Sequence, residues 1–245
     1  HHPAGRTGFA WLADSFHYNG FAAEPPRPAL HVKVLIFLLL TDAAIIGFHV
    51  LLGLMVMAGQ LPEIPARYSI GHDWSIGEMS NYIKWFSLIV VMLAAWERWG
   101  SPIFPALAFL FTVALLDDST QIHENNNEFA GRVSHLDGSE TSFFHELVIW
   151  IVLGLIVAVP LLLSWLRTDR QIKSWVIRLL ALFGGVVFCA VVVDYIHTLP
   201  EQSTFWAGVL GVLEDGGEML FLTAMVSYAV AAIRPQDHVL RLGRR

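Results

Sequence analysis

The sequence predicts an all-α fold, a bundle of about six helices that cross a membrane, and three observations support it. Apolar residues make up 55% of the 245 positions and charged residues only 15%, and the mean hydropathy is +0.56, whereas a soluble domain needs more charge to cover its surface. Apolar runs recur with the length of about 20 residues that the hydrocarbon core requires of a helix. Basic residues are concentrated on alternate flanks of these runs.

The apolar runs divide the chain into three parts. They lie at roughly 33–59, 80–97, 102–124, 142–166, 174–198 and 204–233. They define a transmembrane domain over 33–235, preceded by residues 1–32 and followed by a basic cytoplasmic tail, 236–245. In the first part, Trp11 and Phe16 precede Pro25-Pro26, which indicates either an interfacial amphipathic stretch with an extended linker or an unstructured tail.

The basic residues also predict the orientation. Cytoplasmic flanks carry an excess of Lys and Arg, and an even number of helices places both termini on one side. We therefore expect a multi-pass protein of the cell inner membrane with both termini in the cytoplasm. The flanks assigned to the cytoplasm hold Arg6, Arg27, Lys33, Arg98, Arg167, Arg170, Lys173, Arg178, Arg234, Arg241, Arg244 and Arg245, and the outer set holds only Arg67, Lys84 and Arg132.

Several classes of function are excluded or left without support. The formal net charge of −6 gives no reason to expect nucleic-acid binding. Cys189 is the single cysteine, so no internal disulfide or paired-cysteine metal motif can form. Lys84, near the outer end of helix 2, is the only lysine within a span, which excludes a retinal Schiff base on the last helix. No glycine-rich phosphate loop or nucleophile elbow is present.

The feature that indicates function is a set of ionisable side chains inside the spans. Such a side chain costs at least about 2.5–3.5 kcal/mol at mid-bilayer on insertion scales. The acids and histidines lie late in helices 3 and 5, which run outward, and early in helices 4 and 6, which run inward. All four helices therefore deliver them to the outer half of the bundle.

The spacing of these residues suggests a metal site. Asp117 and Glu124 are seven apart, and Glu214 and Glu218 are four apart, so each pair shares a helix face. A carboxylate three residues before a histidine, as in Asp194 and His197, resembles an element of dimetal sites in helical bundles. Carboxylate and imidazole suit a divalent transition metal, namely iron, manganese or zinc, in a site that could be dinuclear. The candidate ligands are Asp117, His123, Glu124, His145, Glu146, Asp194, His197, Glu214 and Glu218.

Helix geometry complicates a single site. At 1.5 Å per residue, Asp194 lies about 5 Å below the outer boundary, Glu214 about 15 Å and Glu218 about 20 Å. One compact site requires that helix 6 begins later or tilts. Close packing or a bend in that helix is suggested by its glycines, Gly208, Gly211, Gly216 and Gly217.

Two strings resemble a pattern in uncharacterised bacterial multi-helix membrane proteins. They are Leu116-Asp117-Asp118-Ser-Thr-Gln-Ile-His123-Glu124 and Leu213-Glu214-Asp215-Gly216. The pattern consists of Leu-Asp-(Asp/Glu)-x4-His-Glu mid-chain and Glu-(Asp/Glu)-Gly in the last helix, often with an Asp between, which Asp194 would match. The resemblance covers about half the chain and implies that Asp117, His123, Glu124 and Glu214 act as a unit. It brings no activity with it, and Glu218 departs from it where relatives have a basic residue.

Three hypotheses follow. The leading one is a membrane-embedded metalloenzyme, an oxidoreductase or a hydrolase, that acts on a lipid or small hydrophobic molecule entering from the bilayer. The second is a proton- or cation-coupled carrier that uses the same carboxylates, with Asp42 and His49 extending a polar path through helix 1. The third is an accessory subunit that docks on a membrane-protein partner, or a homo-oligomer. For Asp42, His49 and Asp215 taken singly, hydrogen bonding between helices is the favoured interpretation.

Overall fold

A computed structural model describes residues 30–122, 142–199 and 205–232, except for the side chains of 142–146 and 232. These residues form helices and turns and no strand, which confirms the predicted all-α bundle. The first five helices are each long and apolar enough to cross a membrane, whereas three acidic residues interrupt the sixth. The helices are α1 (Leu30–Met57), α2 (Ile76–Trp99), α3 (Ile103–Thr120), α4 (Ser142–Leu166), α5 (Arg170–His197) and α6 (Phe205–Ala232), with a 3-10 turn at Ala66–Tyr68.

The ends of α2 follow from its capping residues. Ser75 is the N-cap and its hydroxyl accepts a hydrogen bond from the backbone N–H of Glu78. The Glu78 carboxylate accepts one in turn from the backbone N–H of Trp74, at 2.7 Å, so one N–H group before the N-cap and one in the first turn are satisfied locally. At the other end Gly100 adopts φ 64°, a left-handed conformation that glycine accepts without strain. Pro102 is the N-cap of α3, which begins at Ile103.

The bundle is organised around α6 and α2. α6 packs against α1, α2 and α5, and α2 packs against α3. α4 packs closely against α3. The core lies where α2, α3, α5 and α6 meet and includes Trp85, Leu88, Met92, Leu107, Phe111, Leu179, Leu222 and Met225.

The outer surface of the bundle is apolar. Phe37 and Leu40 of α1 and Leu155 of α4 are more than 60% exposed. In water such a surface would be unstable over its full extent, whereas lipid chains solvate it. Of α1, only Asp42 and Leu52 are buried, so most of this helix faces the bilayer.

α5 does not run as a regular helix. It is α-helical over Arg170–Phe188, turns into a π-helix over Cys189–Val193, and ends with an α-helical turn over Asp194–His197. A single π-turn adds one residue to the helix and rotates everything beyond it by about 100°. The direction of Asp194 and His197 is therefore set by this turn.

The segment between α1 and α2 folds back over one end of the bundle. Its Ile70 is buried, and the backbone N–H of Ile70 donates to Nδ1 of His49 at 3.2 Å. Gly71 lies against the carboxylate of Asp215 so closely that a Cβ there would be 2.5 Å from Oδ2. We call this the acidic end of the bundle: the end at which α1, α3 and α5 finish and α2, α4 and α6 begin.

Candidate metal centre and cavity

A cavity of about 1040 Å³ opens inside the bundle at the acidic end. All five helices from α2 to α6 contribute to its wall. One part of the wall is apolar and includes Leu110, Val157, Leu161, Leu180 and Phe183. The other part, which we call the acidic wall, consists of eight carboxylates: Asp73, Glu78, Asp117, Asp118, Asp194, Glu214, Asp215 and Glu218.

Three residues of α5 and α6 form the tightest group of possible metal ligands. Asp194, His197 and Glu214 each offer one ligand atom, and these atoms lie within 4.8 Å of one another. Nδ1 of His197 and Oε2 of Glu214 share a hydrogen bond of 2.7 Å. The side chains of His197 and Glu214 are 26% and 18% exposed, and Asp194 and Glu214 line the cavity. We call it the triad.

Close contact between α5 and α6 holds the triad together. A Cβ on Gly217 would be 2.6 Å from Sγ of Cys189, in the π-turn. A Cβ on Gly211 would be 3.2 Å from Cε1 of the His197 ring. Glycine at these two positions therefore lets the helices approach, and the imidazole occupies the space beside α6.

The triad approaches the geometry of a site for one metal ion. Carboxylate oxygens and imidazole nitrogens bind zinc at about 2.0–2.2 Å in a tetrahedral arrangement, so two donors on one ion are about 3.4 Å apart. The ligand atoms of the triad lie within 4.8 Å of one another, so binding of an ion requires side-chain movements of about 1 Å. Two carboxylates and one imidazole suit zinc, iron or manganese.

The carboxylates that α2 and α3 contribute to the acidic wall are held in place by hydrogen bonds. The indole Nε1 of Trp85 donates to Asp118 at 3.2 Å. The Tyr82 hydroxyl donates to Glu78 at 2.7 Å. Asp117 is buried, 6% exposed, one residue before Asp118. These contacts hold carboxylates of α2 and α3 at the cavity that Asp194 and Glu214 also line.

The nine predicted ligands have different outcomes. Asp194, His197 and Glu214 come together in the triad. Asp117 and Glu218 line the same cavity without joining the triad. His123 and Glu124 lie outside the described residues, as do the side chains of His145 and Glu146.

Four cavity carboxylates were not among the predicted ligands. Asp118 and Asp215 follow predicted ligands directly, at about 100° around their helices. Both members of each doublet line the cavity, and the doublets Asp117-Asp118 and Glu214-Asp215 were the available signal. Asp73 and Glu78 reach the cavity from the start of α2, where a capping role was the ordinary interpretation.

A second polar cluster is fully buried between α1, α2 and α6. The Nζ of Lys84 is 2.6 Å from Oδ1 of Asp42, and it also donates to Oδ1 of Asn81 and to the carbonyl of Met219. The Thr223 hydroxyl donates to the other Asp42 oxygen at 2.6 Å. Lys84 therefore lies in the bundle interior and contributes nothing to the charge of the outer flanks. Asp42 is hydrogen-bonded between helices, as favoured from the sequence.

The fold and the cavity define a polytopic helical membrane protein with an acid-lined internal cavity. Over residues 30–232 the chain matches the family described as a domain of unknown function (DUF8692), and it belongs to that family. No curated protein and no solved structure matches the chain.

Proposed function

We propose that the protein is a membrane-embedded metalloenzyme whose metal is held by the triad and whose substrate, a lipid or a small hydrophobic molecule, occupies the cavity. One observation carries the proposal. The triad, a set of donors typical of a transition metal, lies at the edge of a cavity that also has an apolar part. A site for an ion and a site for an apolar molecule are thus adjacent.

The charge of the acidic wall supports a bound cation. Eight carboxylates line the cavity, and no Lys or Arg is among the described residues that line it. Carboxylates that share one cavity disfavour one another's charged form, and a divalent ion compensates two of them at one point. In the absence of an ion, the hydrogen bond between His197 and Glu214 keeps the two side chains next to each other.

The position of each residue in the cavity suggests its role. Asp194, His197 and Glu214 would hold the ion, and Asp117 and Asp118 would face the reacting part of the substrate from α3. Trp85 and Phe183 would exclude water from the inner part of the cavity. When bound, zinc would supply an activated water for hydrolysis, and iron or manganese would supply redox chemistry.

We also propose that the two acidic strings are the signature of the family. Leu116-Asp117-Asp118 and Leu213-Glu214-Asp215-Gly216 contribute four of the eight carboxylates of the cavity. Strings that only stabilised the bundle would have no reason to converge on one cavity. The matching bacterial pattern would then mark proteins with the same site.

Metal analysis of the purified protein tests the proposal. Protein purified without metal-affinity resin should carry at least one transition-metal ion per chain by inductively coupled plasma mass spectrometry. Glu214→Gln and His197→Ala should lose most of it, because each removes one of three ligands. Glu97→Gln is the matched control, since Glu97 is an exposed glutamate near the other end of the bundle.

Two results would count against the metalloenzyme. Wild-type protein without bound metal, and without metal uptake on dialysis against zinc or iron, would overturn it. If Glu214→Gln left the metal content unchanged, the ion would be bound at a site other than the triad. Ion flux across liposomes by metal-free protein would instead assign the same carboxylates to a cation-coupled carrier.

A further inference from the structure

The apolar part of the cavity is long and follows α4. Leu147, Ile151, Gly154, Val157 and Leu161 all line it, and they recur every three or four residues along one face of α4. From Leu147 to Leu161 the rise is about 21 Å at 1.5 Å per residue. This exceeds half of the hydrocarbon thickness of about 30 Å. This shape suggests that the cavity holds a molecule with an extended hydrocarbon chain.

The same face of α4 is open towards lipid. α4 packs closely against α3, and its lining face looks across the cavity to Leu180, Val187 and Val191 of α5. Ile151 lines the cavity and is 54% exposed, and α4 and α5 pack against each other only weakly. A chain could therefore enter sideways from the bilayer between α4 and α5, without passing through water.

The polar part of the cavity indicates which charge the headgroup of a bound molecule would carry. All eight charged side chains of the acidic wall are carboxylates. The nearby cation, Lys84, is paired with Asp42 at 2.6 Å. Two divalent ions would be neutralised by four of the eight carboxylates, which leaves four further acidic groups at the cavity. A phosphate or carboxylate headgroup would meet like charge, which costs several kcal/mol at close range, whereas an amine would be attracted.

We propose that the cavity binds a cationic amphiphile, with an amine or quaternary ammonium headgroup at the acidic wall and its apolar chain along α4. The proposal rests on the proposed function and names the substrate class of that site. The headgroup would lie beside the triad, and the chain would lie between α4 and α5. Anionic lipids would be excluded by charge.

Binding of matched amphiphiles tests the headgroup. Dodecylamine, dodecanol and dodecyl phosphate share one chain and differ in charge at pH 7. Their dissociation constants can be measured by titration calorimetry in an uncharged maltoside detergent, with empty micelles as the blank and the protein stripped of metal with EDTA. We expect dodecylamine to bind about tenfold or more tightly than dodecanol, and dodecyl phosphate to bind more weakly than both.

A pair of glycine variants tests the location of the chain. A Cβ on Gly154 meets nothing within 4 Å, so Gly154→Leu should fold and fill the cavity. Gly47→Leu is the matched control, because Gly47 also has open space and lies on α1, away from the cavity. We expect Gly154→Leu to weaken dodecylamine binding about tenfold or more and Gly47→Leu to leave it unchanged.

The outcomes separate this proposal from the metal site. Dodecyl phosphate binding as tightly as dodecylamine, or no binding of dodecylamine, would overturn the cationic amphiphile. If Gly154→Leu and Gly47→Leu changed dodecylamine binding equally, the apolar chain of the amphiphile would not lie along α4. Ala158→Leu provides a second test on the same face of α4. None of these results depends on whether the triad holds a metal, because metal-free protein is used.

Discussion

At the scale of single residues, the pair of Asp42 and Lys84 shows how the bundle accommodates buried charge. The three N–H groups of the Lys84 ammonium have three acceptors: Asp42, Asn81 and the carbonyl of Met219. Asp42 also accepts from Thr223. Because all of these groups are 8% exposed or less, removal of one charged partner leaves the other without compensation.

The first prediction concerns this pair. Lys84→Met should destabilise the protein by about 3–5 kcal/mol, because the Asp42 carboxylate stays buried without its partner. The double variant Asp42→Leu with Lys84→Met should be more stable than Lys84→Met alone, since it buries no charge. Thermal unfolding in detergent, followed by tryptophan fluorescence, measures both. Lys33→Met, on an exposed lysine of α1, is the control, and a double variant less stable than Lys84→Met would contradict the pairing.

The sequence could indicate Asp42 as a residue that bonds between helices, but not its partner. Lys84 lies 42 positions away on another helix, and its contact depends on how α1 and α2 are rotated about their axes. α1 is apolar on all sides, so its sequence carries no periodic signal for that rotation. Lys84 was assigned to the outer end of helix 2 because hydropathy records depth and not the direction of a side chain.

At the scale of helices, the contact between α5 and α6 determines whether the triad forms. Gly217 faces Cys189 of the π-turn, and Gly211 faces the His197 ring. By contrast, a Cβ on Gly208 would meet nothing within 4 Å. A methyl group added at Gly217 or Gly211 would therefore be close to atoms of α5, whereas one added at Gly208 would contact nothing.

The second prediction uses that difference. Gly217→Ala should separate α5 from α6, lower the melting temperature and reduce metal content, because the new methyl would be 2.6 Å from Sγ of Cys189. Gly208→Ala should have no such effect and could stabilise α6 by up to about 1 kcal/mol. Cys189→Ala combined with Gly217→Ala should restore both properties, since it removes the clashing sulfur. Failure of this double variant to recover would show that the two residues do not set the distance.

Much at this scale could be predicted from the sequence. The apolar runs located all six helices to within four residues at each end, and the glycines of helix 6 indicated its close packing. The depth of Glu214 was the main conflict. It meets His197 at 2.7 Å, although depth counted from the helix boundaries separates it from Asp194 by about 10 Å. α6 begins at Phe205, more than two turns before Glu214, whereas α5 ends at His197, within the triad. The π-turn, which has no recognisable sequence signal, rotates Asp194 and His197 into place.

At the scale of the whole molecule, the two charge patterns lie at opposite ends of the bundle. The acidic wall is at the end where α2, α4 and α6 begin. The basic flanks lie at the other end, where Arg98, Arg167 and Arg170 are found. Since Lys84 is buried with Asp42, the contrast between flanks is greater than a count of all lysines and arginines indicates. We therefore propose that the acidic end faces outward and both termini face the cytoplasm.

The third prediction tests this orientation with introduced cysteines. Cys189 is buried, so a Cys189→Ala background removes the only native thiol. Gln60→Cys, exposed in the segment after α1, should react with a membrane-impermeant maleimide in intact spheroplasts, because it lies at the acidic end. Gln171→Cys, exposed at the start of α5, should react only after lysis. The reverse pattern would place the cavity on the cytoplasmic side, and its amphiphile would then be drawn from the inner leaflet.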